Sequence, residues 1–319
     1  MNLLIVIVNY RSADLTVDCL RSLESEVAGR PGSRVVVVEN ASGDDSAERL
    51  NSAIRDYGWD PWVSLVSSPR NGGFAAGNNV ALAPALSSDD PPELIWLLNP
   101  DTMVRPGAMG ALVDFLARHP EVGLAGSRLE HLDGKPQNSA FRFPSVYSEL
   151  EGGLRFGPVS KVLDRHVLMP PVSEVEGPVD WVAGASLMVR REVFEAVGLL
   201  DDGYFMYFEE VDFCLRANRA GWPCWYVPGS RVIHLVGQSS GVTQDGKHQK
   251  RRPRYWFEAR RRYFLKNQGR LRTISADLMY ALAFATFRVR RAIQRKPDMD
   301  PQWMLWDFIR YNFLTVSKR

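Results

Sequence analysis

The sequence predicts an α/β protein built on a doubly wound, mostly parallel sheet flanked by helices, and three observations predict it. Two continuous apolar runs, Leu3–Val8 and Leu94–Leu98, are short and end in polar or proline-containing loops, as strands covered on both faces do. Between such runs lie segments with apolar residues at helical spacing, for example Leu15, Cys19, Leu20 and Leu23. The connections are short and polar, so strand and helix alternate.

Taken in order, Leu3–Val8 is the first strand and Arg11 to Leu23 the first helix. Val35–Val38 is the second strand, and Ser46 caps a helix to about Tyr57. A third strand is expected near Val63–Val66, then a helix from about Ala75 to Leu86, then the strand through Trp96. That strand stops at Asn99-Pro100-Asp101, because Pro100 cannot donate to a ladder and pushes Asn99 towards an extended conformation. A helix from Pro106 to Arg118 and a strand near Val122–Ala125 follow. From Leu129 to Pro178 the pattern loosens into a Pro- and Gly-rich stretch that suits a mobile, substrate-facing insertion. One strand is expected over Val179–Val189, a helix over Arg190–Val197, and then Glu209, Glu210 and Asp212 fall within four positions.

Composition narrows the class. The 319 residues are 45% apolar and 24% charged, as in a soluble globular protein. Leu3–Val8 is too short for a secretory signal, and no run approaches the roughly 18 apolar residues of a membrane span. Three cysteines without metal-site spacing fit a reducing cytosol. The net charge of +2 hides an asymmetry: Lys247 to Arg319 holds 19 Lys and Arg against 5 Asp and Glu, on an otherwise acidic body. With Trp256, Trp303 and Trp306 interleaved, this basic, amphipathic, helical C-terminal region (241–319) suits an anionic membrane surface. No nucleic-acid recognition motif is present, so nucleic acid is not expected; a packed appendage or a homodimer surface is the alternative use.

Strand-ending loops that converge on one sheet edge are where open α/β sheets bind ligands, and Asp101 lies just past a central strand. Its plain alternative is a helix cap. The Asn71–Asn79 loop has neither P-loop nor dinucleotide-fingerprint spacing, which disfavours ATP and NAD.

Seven motifs then occur in one order: Asn9-Tyr10, Glu39-Asn40-Ala41-Ser42, Arg70-Asn71-Gly72-Gly73-Phe74, Asn99-Pro100-Asp101, Trp181-Val182-Ala183-Gly184-Ala185, Glu209-Glu210-Val211-Asp212 and His234-Leu235-Val236-Gly237-Gln238-Ser239. Together they resemble the family 2 glycosyltransferases of GT-A type, and among them bacterial rhamnosyltransferases that use dTDP-L-rhamnose. The resemblance implies a GT-A domain over 1–240, with a nucleotide-sugar half to about 127 and an acceptor half over 128–240.

The resemblance further implies an inverting transfer from a nucleotide-sugar donor, dTDP-rhamnose first, to a glycan or polyprenyl-diphosphate-linked acceptor. The alternatives are the same chemistry with another nucleotide-sugar donor, or nucleotide-sugar binding without turnover, which the departures at Asn99 and Glu210 from fuller acidic patterns suggest. This would be a cytoplasmic enzyme, peripheral at the inner face of the plasma membrane, in cell-envelope glycan synthesis. The donor would meet Asn9, Tyr10, Glu39, Asn71, Gly73, Asn78, Asn99 and Asp101. A divalent metal, Mg²⁺ or Mn²⁺, would be held by Asp101 and His234 and would stabilise charge on the departing diphosphate. Trp181, Gly184, Ala185 and Tyr207 would face the acceptor. The general base would be Glu210, with Glu209 and Asp212 open as alternatives, since any carboxylate of this cluster could take the acceptor's hydroxyl proton.

Overall fold

The computed structural model describes residues 2–235 and 250–314. Its elements, in chain order, are β1 (Leu3–Asn9), α1 (Ala13–Ala28), β2 (Ser33–Glu39), α2 (Ser46–Asp56), β3 (Val63–Ser67), α3 (Gly73–Leu86), β4 (Leu94–Leu98), β5 (Thr102–Val104), α4 (Ala108–Arg118), β6 (Leu124–Glu130) and β7 (Ala140–Phe141). There follow α5 (Val146–Leu154), α6 (Gly157–Val162), β8 (Gly177–Val179), β9 (Trp181–Val182), β10 (Ser186–Arg190), α7 (Arg191–Val197), α8 (Glu209–Arg219), β11 (Cys224–His234), α9 (Arg254–Gln268), α10 (Arg270–Ile293) and α11 (Met304–Ile309).

The main sheet runs β3-β2-β1-β4-β10-β6-β11-β5, with β8 also on β11. All seven residues of β1 and all five of β4 are buried, so their unbroken apolar runs belong to strands covered on both faces. The pairs β1–β2, β1–β4, β2–β3 and β6–β11 are parallel, whereas β10 runs antiparallel to both its neighbours, as β5 and β8 do to β11. The sheet is therefore mixed beyond β4. The core packs α1 and α4 on it through Leu20, Leu23, Leu112 and Leu116.

Two local expectations need correction. Val179–Val189 is not one strand. It breaks at Ala183-Gly184-Ala185, where Ala183 N–H donates to the Ser139 carbonyl and Ser186 N–H turns back to the Ala183 carbonyl. Val179 ends β8, on β11; after Asp180, β9 pairs with β7 in a separate two-stranded sheet, and β10 enters the main sheet. The Leu129–Pro178 stretch, expected as a loosely patterned mobile insertion, holds α5, α6, β7 and β8, and a capping box built by Ser145 and Ser148 starts α5.

The chain forms two compact units. One comprises Met1–Phe141, Pro171–Phe205 and Glu209–Ser239; the other comprises Arg142–Pro170, Met206–Phe208 and Ser240–Arg319. The second unit contains α5 and α6 together with α9 and α10, and a buried charge cluster ties α5 to α9 and α10. Buried Arg260 of α9 is held at 2.8 Å by Glu149 of α5 and at 2.5 Å by Asp277 of α10. Phe257, Phe284, Met304 and Phe308 form its apolar cluster.

Candidate active site

The first unit presents the ends of β1, β2 and β4 at one edge, where the strand order turns from β1 to β4. Asn9 and Glu39 are register partners there. Asn9 is fully buried, and its Oδ1 accepts from Ser12 Oγ at 3.1 Å and Thr16 Oγ1 at 3.0 Å. Glu39 Oε1 accepts from Ser42 N–H at 2.8 Å. Arg11 continues this lacing: its N–H donates to Ser42 Oγ at 2.9 Å, its Nε to the Ser42 carbonyl at 2.8 Å, and its guanidinium lies 5.3 Å from the Tyr10 ring centre. Side-chain bonds of Asn9 and Glu39 therefore fix the loop, leaving Tyr10, half-buried, at its rim.

At the start of α3, Asn71 Oδ1 accepts from Asn40 Nδ2 (3.1 Å) and Gly73 N–H (3.0 Å). Gly73 has φ +82°, and a Cβ there would sit 1.7 Å from the Phe205 carbonyl oxygen. Phe74 N–H donates to that same carbonyl at 2.9 Å. The Gly73 loop thus clamps the chain that leads to the acidic cluster. Asn78 is buried within α3 and gives its amide to the Phe74 carbonyl at 2.9 Å.

Past β4, Asn99 N–H donates to the Ala185 carbonyl at 3.0 Å. Asp101 is buried, and its Oδ1 lies 3.5 Å from His234 Nε2. The pairing of β5 with β11, which sets Thr102 opposite His234, brings them together. Leu235 N–H closes the loop onto the Asp101 carbonyl at 2.9 Å. Gly237 and Ser239 of the motif lie outside the described residues.

The three acids separate by environment. Asp212 is fully buried; Tyr204 Oη donates to its Oδ1 (3.3 Å) and Arg216 Nε to its Oδ2 (2.9 Å). Arg216 in turn binds the Val197 and Leu199 carbonyls, so this pair pins α8 to the end of α7. Glu209 is buried. Glu210 keeps partial exposure as a residue, yet its Oε2 is sealed from solvent with no hydrogen-bond partner among the described residues. Burial pushes its carboxyl above the ordinary carboxylate range, against the opposing N–H groups of Glu210, Val211 and Gly184. Gly184 abuts it: a Cβ there would stand 3.6 Å from Glu210 Cβ and 3.4 Å from the Phe74 ring. The two residues ahead of α8, Tyr207 and Phe208, have φ +72° and +68°, a conformation that costs non-glycine residues energy and collects at functional sites.

Of the expected acceptor residues, Gly184 and Ala185 thus join Glu210 and Asn99. Trp181 stacks on Phe141 at 4.3 Å, with ring planes 18° apart. Tyr207 belongs to the second unit, where its ring stacks on Tyr255 at 6.1 Å.

One charged group has no forerunner in the sequence. Fully buried Glu130 at the end of β6 accepts from Arg231 at 2.6 and 3.1 Å, with Arg128 at 3.2 Å and Arg105 at 3.4 Å. Burial alone would raise its carboxyl; the guanidinium groups, Arg231 foremost, hold it below the usual range.

For a metal, Asp101 offers a carboxylate oxygen, the donor that hard cations such as Mg²⁺ and Mn²⁺ take, with the His234 imidazole beside it. Among the described residues no group of three His, Cys, Asp or Glu could hold an ion unaided. The pair therefore fits a cation that draws its other ligands from a diphosphate and water.

Strand-end loops, the Asp101–His234 pair and the desolvated Glu210 lie together in one α/β unit. The model of the glycosyltransferase-like family 2 matches residues 2–264, and the chain belongs to that family. It is 32% identical over 226 residues to the N-acetylglucosaminyl-diphospho-decaprenol L-rhamnosyltransferase of Mycobacterium tuberculosis (strain CDC 1551 / Oshkosh), covering 66% of this chain and 69% of that protein. It is 48% identical to rhamnosyltransferase WbbL of Escherichia coli (strain K12) over 58 residues, 18% of this chain and 22% of the other. Among solved structures, the mannosyltransferase PcManGT from Pyrobaculum calidifontis, in complex with GDP-Man and Mn²⁺, superposes with a TM-score of 0.58 at 16% identity, over 92% of this chain and 75% of that one. The fold is GT-A and the protein is a glycosyltransferase.

Proposed function

We propose that this glycosyltransferase moves L-rhamnose from dTDP-L-rhamnose, with inversion, onto a polyprenyl-diphosphate-linked glycan of the cell envelope. The transferred sugar and the acceptor class are those in the name of the mycobacterial rhamnosyltransferase, and dTDP as the carrier follows from the sequence resemblance. The observation that carries the chemistry is a chain of contacts: Asp101 follows Asn99, Asn99 holds the Ala185 carbonyl, and Gly184 beside it lies against Glu210. A leaving-group site and a proton acceptor thus flank one short segment.

In this mechanism Glu210 takes the proton of the acceptor hydroxyl as that oxygen bonds to the anomeric carbon, and the bond to the diphosphate oxygen breaks with its electron pair. A desolvated carboxylate with raised proton affinity suits that work. Asp212, occupied by Arg216 and Tyr204, acts as the brace of α8. Asp101 and His234 would hold the divalent cation, which when bound supplies positive charge to the departing dTDP. Tyr10 and the loops fixed by Glu39, Asn71 and Gly73 would frame the nucleoside, and Trp181 would offer a sugar platform.

No helix among the described residues is long and apolar enough to cross a membrane, and we place the enzyme on the cytoplasmic face of the plasma membrane through its basic C-terminal region. Thermal shifts with dTDP, UDP and GDP, each with and without Mn²⁺, test the donor. The largest metal-dependent rise is expected with dTDP; an equal or larger rise with UDP or GDP would reassign it.

A further inference from the structure

Helix α10 carries a face that its packing does not use. Leu271, Ile274, Leu278, Leu282, Val289 and Ile293 recur at helical spacing along one side, and each is 42% to 83% exposed. The buried residues of the helix, among them Ala276, Asp277 and Phe284, lie on the opposite side. At 24 residues the helix is about 36 Å long. By its 100° step, Arg270 and Arg288 border the stripe on one edge and Arg272 and Arg290 on the other. Arg288 stays 3.3 Å from Asp298 and Arg290 binds the Leu154 carbonyl at 2.9 Å, which anchors two of these heads at the border.

We infer that α10 lies in the plane of an anionic bilayer, with its aliphatic stripe among the acyl chains and its bordering arginines at the phosphates. This rests on the reading above, in which the acceptor is lipid-linked. The charge pattern selects lipid over a second copy of the chain. The one acid of α10, Asp277, is buried against Arg260, so two stripes packed together would bring arginine rows face to face with only Asp298, beside Arg288, to offset them. Anionic headgroups supply the missing charge, and the exposed rings of Trp303 and Trp306 are of the kind that settles at headgroup level. Three of the tail cations are already engaged, since Arg251, Arg260 and Arg291 pair with Asp307, Asp277 and Asp300. The aliphatic stripe therefore carries the binding together with the remaining charge.

The test is co-sedimentation of the full chain with phosphatidylglycerol-containing and with phosphatidylcholine vesicles, comparing the wild type with Leu278→Glu/Leu282→Glu. The wild type should bind the anionic vesicles, and the double variant about tenfold more weakly or less, with unchanged melting and unchanged response to dTDP and Mn²⁺. Should the charged pair unfold the helical unit, Leu282→Ser/Val289→Ser makes the same comparison. Equal vesicle binding by wild type and variants overturns the inference. So does a wild type that ignores vesicles but is a dimer which the substitutions dissociate, since the stripe is then an interface between copies. A wild type that binds vesicles through the stripe but gives no shift with any nucleoside diphosphate keeps the membrane face and removes the glycosyl-transfer reading of the site.

Discussion

Nε2 of His234 lies 3.5 Å from Oδ1 of Asp101, although one closes the last strand of the first unit and the other follows its fourth. The antiparallel seat of β5 on β11 makes the contact, so it belongs to the fold. Asp101→Asn should keep the ligand-free melting temperature within a few degrees and abolish the Mn²⁺-dependent shift given by dTDP. His234→Ala should weaken that shift's apparent affinity by about tenfold or more, as loss of a supporting metal contact does. Titrating Mn²⁺ at fixed dTDP reads both, and an unchanged titration in either variant removes that residue from the site.

Gly73 is the position with least tolerance. Alanine there would meet the Phe205 carbonyl and would hold φ +82° against its preference. Gly73→Ala should cost about 2 kcal/mol or more of stability, and turnover should fall further than stability explains, because the Phe205 chain leads to Glu209 and Glu210. Thermal denaturation beside donor turnover checks this; a variant of wild-type melting and activity would show that the loop can yield.

The buried Arg260 of the second unit should be as unforgiving. Removing it by Arg260→Ala strands Glu149 and Asp277 in the core, at a cost of about 3–5 kcal/mol. Burial raises both carboxyls even beside Arg260. Stability linked to a raised carboxyl is present in full below its unfolded pKa and is lost as pH rises through the folded one. The variant's deficit should therefore narrow as pH falls towards 5. Chemical denaturation at pH 5 and pH 8 measures it, and a deficit independent of pH would mean that other contacts dominate.

How far the sequence reveals all this depends on the range of the interaction. β1 and β4 are legible because burial on both faces leaves a local signature, an unbroken apolar run. The brace role of Asp212 is half legible, since Arg216 stands four residues on, the spacing of helical ion pairs. The Val179–Val189 segment misleads because what breaks it, the Ser139 carbonyl, is contributed from a distant stretch. Glu130 leaves no trace, as its partners Arg105, Arg128 and Arg231 are scattered along the chain. The same limit affects the tail: its net charge is readable, but which arginines are spent on Glu149, Asp277, Asp300 and Asp307 is not.

Glu210 should show opposite effects on stability and on turnover. Its raised carboxyl destabilises the folded state wherever it is ionised, so the stability it lends is full at acid pH and lost as pH rises. Glu210→Gln should then melt at or above the wild-type temperature at pH 8, with the difference vanishing towards pH 4. A lower melting temperature at pH 8 would mean that the charged form makes stabilising contacts in the folded state.

The most direct measurement is turnover of dTDP-L-rhamnose by Glu210→Gln, followed as dTDP release at saturating Mn²⁺ and beside donor affinity. Loss of the base should lower kcat by a factor of about 10² to 10⁴ and leave donor affinity near that of the wild type. The wild-type profile should fall on an acid limb set above the ordinary carboxylate range, and the variant should lack that limb. Wild-type kcat in Glu210→Gln, with loss in Asp212→Asn or in Glu209→Gln, would contradict the assignment and move the proton to that residue.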